Sequence, residues 1–134
     1  MSQARVIFFA LAAFYLVGVV VQFFLAGLGA FGATSFDPHR GLGFALGIAS
    51  LVLLVLALVG RLPRLLLLLT VVLVGLNVLQ SILANIDVEE IAALHVVNAL
   101  AIVYVAHELM QRSRRFLTGK VAGEEARPSG QPLE

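Results

Sequence analysis

Cysteine is absent from the chain. No disulfide, thiolate metal site, iron–sulfur cluster or covalent haem attachment through C-x-x-C-H is therefore open to it. Charge is scarce too: Asp, Glu, Lys and Arg make up 13% of the residues, and the net charge is +1. So slight a positive balance gives no basis for a nucleic-acid partner. The acidic residues fall in loops, at the ends of apolar runs or in the C-terminal tail. Proton pumps and ion-coupled transporters ordinarily need an intramembrane Asp or Glu, so both readings lose support. No nucleophile–base pair, phosphate loop or pair of broken helices stands out, which argues against an enzyme or a secondary transporter.

What fills the chain instead is apolar side chain, 60% of 134 residues, with a mean hydropathy of +1.02. A soluble domain of this size cannot bury that much apolar surface. Four apolar runs, 6–28, 41–60, 65–83 and 88–110, approach or exceed the ~20 residues that cross a bilayer. Backbone groups in lipid must be satisfied within their own segment, so each run is expected to be a helix. The first run is longer than the ~7–15-residue core of a signal peptide and is read as a span. The expected fold is all-α: a four-helix transmembrane bundle over residues 1–117. A polar tail, 118–134, has no apolar period and is expected to be disordered.

Arg5 precedes the first run, Arg61 and Arg64 flank the "GRLPR" turn, and Arg112, Arg114, Arg115, Lys120 and Arg127 follow the fourth. Eight of the nine Lys and Arg therefore share one side of a four-span chain, and only Arg40 lies on the other. The positive-inside rule then predicts up-down topology with both termini cytoplasmic, in the plasma (inner) membrane. Asp37 followed by Pro38 reads as an N-cap with proline at the first helical position. Asp87 with Glu90 reads as a capping box.

Each run carries one polar or small stripe. Tyr15, Gly18 and Gln22 share a face, as do His39, Gly43, Gly47 and Ser50; Thr70, Asn77, Gln80 and Ser81 lie close together; His95 and Asn98 are one turn apart. All are expected to point inward, because lipid-facing polar groups are costly. At ~1.5 Å per residue from the inner arginines, Gln22, Gln80 and His95 sit ~24–26 Å up, with Asn77 and Asn98 a little lower. They form one layer in the outer third of a ~30 Å hydrocarbon core. The same ruler sets His39 ~7 Å above His95, at the outer mouth.

The layer has two readings. In one it is interhelical glue, each hydrogen bond contributing about 0.6 kcal/mol, with Gly43-x-x-x-Gly47 as a close-packing notch. In the other it is a cofactor pocket, His39 and His95 bracketing a metal or haem, with Gln22, Gln80 and Asn98 around them and Arg40 reaching a propionate. The alternative role of Arg40 is an interfacial anchor beside Asp37. His107 reads as interfacial.

"HRGLG" (39–43) and "LHVVNA" (94–99), with Gln80, resemble a small bacterial four-helix membrane family of unknown function. They are also similar to one half of haem A synthase and to cytochrome-b-like membrane bundles. That resemblance implies His39 and His95 as axial ligands. The residue three before the first His, a glutamate in the active half of haem A synthase, is Phe36 here. The chain also lacks the outer-loop cysteine pair of many bacterial members. The expectation is thus a b-type haem used for electron transfer or haem handling, not haem oxidation. Its competitor is an accessory subunit of a larger membrane complex; a binder of lipophilic ligands is a third possibility.

Overall fold

The computed structural model describes residues 3–125, without the side chains of 89 and 120–125. Four long helices and one short turn of helix follow in order: α1 (Gln3–Ala30), α2 (Asp37–Val59), α3 (Arg64–Leu83), α4 (Glu89–Ala92) and α5 (Leu94–Glu125). Each of the four long elements is long and apolar enough to cross a membrane, the fourth span covering Glu90–Gly119.

The helices form a four-helix bundle because each is buried along one narrow seam. Phe8, Ala12, Tyr15 and Val19 are the buried residues of α1, and Leu46, Ser50, Leu53 and Ala57 those of α2. Leu66, Thr70 and Leu73 continue the pattern on α3, and Asn98, Ile102, Val105, Leu109 and Ser113 on α5. Steps of four and three residues are the heptad rhythm of helices packed at a shallow angle. The serine and threonine hydroxyls of the seam bond to their own helix: Ser50 Oγ to the Gly47 carbonyl, Thr70 Oγ1 to that of Leu66, Ser113 Oγ to that of Met110. A hydroxyl satisfied by a carbonyl of the preceding turn can sit in an apolar core without a partner helix. The other faces leave Phe14, Phe24, Phe44, Val59 and Leu68, among others, exposed, a surface compatible with a lipid environment.

Going round the bundle, α1 packs on α2 and α5, and α3 packs on α2 and α5. The diagonal pairs are thus α1 with α3 and α2 with α5. Arg5 Nε donates to the Gly60 carbonyl, tying the start of α1 to the end of α2, and its guanidinium lies 5.4 Å from the Phe116 ring. Two matching helix ends close the connections. The Leu62 and Arg61 N–H groups donate to Ala57 and Leu58, with Arg61 at φ 47°. Those of Ala33 and Gly32 donate to Leu28 and Gly29, with Gly32 at φ 71°. Both are Schellman closures, which need one left-handed residue.

Several local expectations shift. The N-cap position of α2 is Phe36, not Asp37; Ser35 Oγ accepts the Asp37 N–H at 3.3 Å and donates to its carboxylate at 2.9 Å. Among the described residues no side-chain bond joins Asp87 and Glu90 as a capping box. The Val88 carbonyl instead accepts the N–H groups of Ile91 and Ala92, and the helix breaks at Ala93 before α5 begins. Helix α5 continues to Glu125, past the tail boundary placed at 117. Extending an existing helix costs little once its nucleus is formed. The rest of the expected disordered tail, 126–134, lies outside the described residues.

Candidate functional site

The end of the bundle away from Arg5 gathers the polar side chains. His39 is in the first turn of α2, and His95 is the second residue of α5. They lie across the α2–α5 diagonal with ring centroids 6.2 Å apart and planes inclined at 58°. The sequence ruler set them at different heights because its zeros differ. Arg61 lies beyond the end of α2, in the turn, whereas Arg112 is inside α5, which runs on to Glu125.

Each imidazole is fixed in the same way by the helix before it. His39 Nδ1 is 3.1 Å from the Gln22 carbonyl, and His95 Nδ1 is 3.2 Å from the Gln80 carbonyl. A carbonyl only accepts, so each Nδ1 carries the hydrogen, and each neutral ring keeps a bare lone pair on Nε2. That is the arrangement by which proteins orient histidine ligands. The two hairpins, α1–α2 and α3–α5, thus repeat a glutamine–histidine pair.

The glutamine side chains differ between the hairpins. Gln22 Nε2 donates to the His39 carbonyl at 2.7 Å, making the Gln22–His39 link reciprocal. Its amide fits because residue 43 is glycine: a Cβ there would lie 2.8 Å from Gln22 Nε2. Gln80 Oε1 instead accepts from Asn98 Nδ2 at 2.5 Å, and the same Asn98 amide donates to the Leu76 carbonyl at 2.9 Å. Leu42 holds, relative to His39, the place that Asn98 holds relative to His95. Gln22 Oε1 is accordingly buried with no hydrogen-bond partner.

The other diagonal is closed one layer nearer the Arg5 end. Tyr15 Oη donates to Asn77 Oδ1 at 3.1 Å, and Asn77 Nδ2 lies 2.8 Å from Tyr15 Oη and also donates to the Leu73 carbonyl. The Phe36 ring stands edge-on to His39 at 6.2 Å and lies against Gly29, where a Cβ would come within 2.8 Å of it.

The structure therefore brings together Gln22, His39, Gln80, His95 and Asn98, all singled out from sequence. It leaves Arg40 at the rim, 78% exposed and 3.9 Å from Asp37, the anchor position. Ser81 is exposed, not inward, and bonds to the Asn77 carbonyl of its own helix. The Gly43-x-x-x-Gly47 stripe is no helix–helix notch: Gly43 houses the Gln22 amide, and nothing lies within 4 Å of a Cβ placed on Gly47. His107 is exposed beside Gln111. Sequence reasoning did not find the Tyr15–Asn77 link or the two backbone carbonyls. The first had a signal in two polar residues on diagonal helices; the second had none, because a carbonyl belongs to every residue.

Among the described residues, no group of three or more His, Cys, Asp or Glu gathers that could hold a metal ion. Two imidazoles bonded to one ion at about 2 Å each put their centroids about 6 Å apart, which is the separation of this pair. Residues 22–87 match a family of unknown function (DUF6220). The matched stretch takes in Gln22, His39 and Gln80 and ends before His95. No curated protein and no solved structure matches the chain. The likeness to haem A synthase has no counterpart in these comparisons and stands on the quoted residues alone.

Proposed function

We propose that this is a small multi-pass membrane protein of up-down topology, both termini cytoplasmic, that binds b-type haem between His39 and His95 near the outer surface. The observation that carries the reading is the pair of imidazoles 6.2 Å apart, each with Nδ1 tied to a backbone carbonyl and Nε2 left as a ligand atom. Haem so held would supply a one-electron couple in the membrane, suited to electron transfer or haem handling. The protein's part is orientation. Gln22 holds His39 through two bonds; Gln80 and Asn98 brace the start of α5; the Tyr15–Asn77 pair joins α1 and α3 beneath them. Arg40, at the rim, is the residue that would pair with a propionate, while its exposed pairing with Asp37 also serves as an interfacial anchor.

The second reading is an accessory subunit of a larger membrane complex in which the layer only joins helices. It is favoured by one fact: every buried polar side-chain atom of the layer except Gln22 Oε1 has a partner within the chain. Spectroscopy separates the two. Expressed with ample haem, the wild-type protein is expected to show a Soret band and, after dithionite, the sharp visible bands of a six-coordinate b-type centre. His95→Gln and His39→Gln should each abolish that spectrum or turn it high-spin, since each removes one axial nitrogen. A colourless wild-type protein after haem reconstitution rejects haem and leaves the accessory role.

A further inference from the structure

A second site lies at the opposite end of the bundle, away from the histidines. Pro63, Leu65 and Leu66 of α3 and its approach, with Arg112, Arg115 and Phe116 of α5, line an open cleft of about 230 Å³. Three features of the cleft agree. First, its rim is cationic: Arg112 uses Nε on Glu108 at 2.8 Å, and a guanidinium has further N–H donors beyond that one. Arg115 adds a second guanidinium. Second, α3 follows Pro63 at its N-cap position with no side-chain cap, and the first N–H of α3 to find a carbonyl is that of Leu67, on Pro63. The three N–H groups before it, of residues 64–66, have no helical carbonyl to bond, and the helix dipole favours an anion at this end. Third, the walls are leucine, proline and phenylalanine, and Leu65 is 47% exposed, continuous with the apolar belt of the bundle.

The surrounding charge has one sign. Residues 3–10, 58–66 and 106–116 hold six arginines and a single acid, Glu108, so the field over the cleft is positive even with Glu108 paired. A free anion would use the arginines and the helix start but not the apolar walls. A ligand with a phosphate head and hydrocarbon tails uses all three.

We infer that this cleft binds the phosphate headgroup of an anionic membrane phospholipid, with its acyl chains laid along α3 and α5. The site is independent of haem and requires only that the bundle sit in a bilayer. Each arginine near an anionic lipid surface contributes about a fivefold gain in affinity.

The test uses the full chain in detergent, with phosphatidylglycerol, phosphatidylcholine or inorganic phosphate added separately, followed by native mass spectrometry and thermal unfolding. Phosphatidylglycerol is expected to stay bound and to raise the unfolding temperature, with phosphatidylcholine and phosphate much weaker. R112Q and R115Q should each weaken retention about fivefold. R114Q, which removes an equal charge from a residue outside the cleft, should leave retention close to wild type. Equal binding of the two lipids overturns the proposal. So does equal stabilisation by phosphate alone, which would mark a free-anion site. If R114Q weakens binding as much as R115Q does, only diffuse charge is at work and the cleft has no part. Should R112Q fail to fold once Glu108 is unpaired, R115Q alone decides, because among the described residues Arg115 is in no ion pair.

Discussion

At the scale of single residues, Gly43 and Gln22 form the most specific contact at the histidine end. Removing a helical glycine normally stabilises by about 0.5–1 kcal/mol through the unfolded chain. Here the added methyl would meet Gln22 Nε2 at 2.8 Å and push the amide off the His39 carbonyl, a bond worth about 1 kcal/mol. The two effects oppose each other, so Gly43→Ala is expected to be close to neutral in the wild-type chain. In a Gln22→Ala background the clash is gone and the same change should stabilise. A double-mutant cycle read by unfolding in detergent should give a coupling near 1 kcal/mol; additive values would mean that the amide does not hold the helix start. The types of residue in this contact were legible beforehand, since an amide and a glycine stood on facing polar stripes. Their job was not. Glycines four apart in a span read as a packing notch, and only coordinates show whether a helix or a side chain fills the space.

At the scale of elements, the existence of four helices long and apolar enough to cross a membrane followed from apolar runs, because a bilayer fixes how many residues a helix needs. Their ends were less legible. The break at Ala93 carries neither glycine nor proline, and the Ser35–Asp37 hydrogen bonds before α2 were hidden behind the more conspicuous Asp37–Pro38 pair. The left-handed closures of α1 and α2 offer a direct comparison. Gly32 and Arg61 occupy equivalent places, at φ 71° and 47°. A side chain in that conformation costs roughly 1–2 kcal/mol, so Gly32→Ala should destabilise by about that amount. Arg61→Gly removes a similar cost but loosens the unfolded chain by up to ~1 kcal/mol, leaving a small net gain or none. Thermal unfolding of the two variants checks this. A neutral Gly32→Ala would mean that the end of α1 refolds into another turn.

For the whole molecule, the two ends of the bundle differ in kind. One gathers arginines around Gly60, Phe116 and the start of α3; the other gathers imidazoles and amides. Which end meets which compartment depends on the positive-inside rule, which acts during insertion and leaves no mark on packing. A reporter active only in the cytoplasm, fused at the C-terminus or within residues 61–64, is expected to be active. The same reporter within 85–90 should be silent, and an externally active reporter should give the reverse pattern. Arg40 is the one cation opposing this orientation. Its side chain is exposed and pairs with Asp37 at 3.9 Å, so it has no buried contact that would hold it on one side during insertion. Arg40→Gln should therefore leave the pattern unchanged. An active cytoplasmic reporter at 85–90 would invert the chain, placing the histidine pair beside the cytoplasm and the arginine-rich end outside.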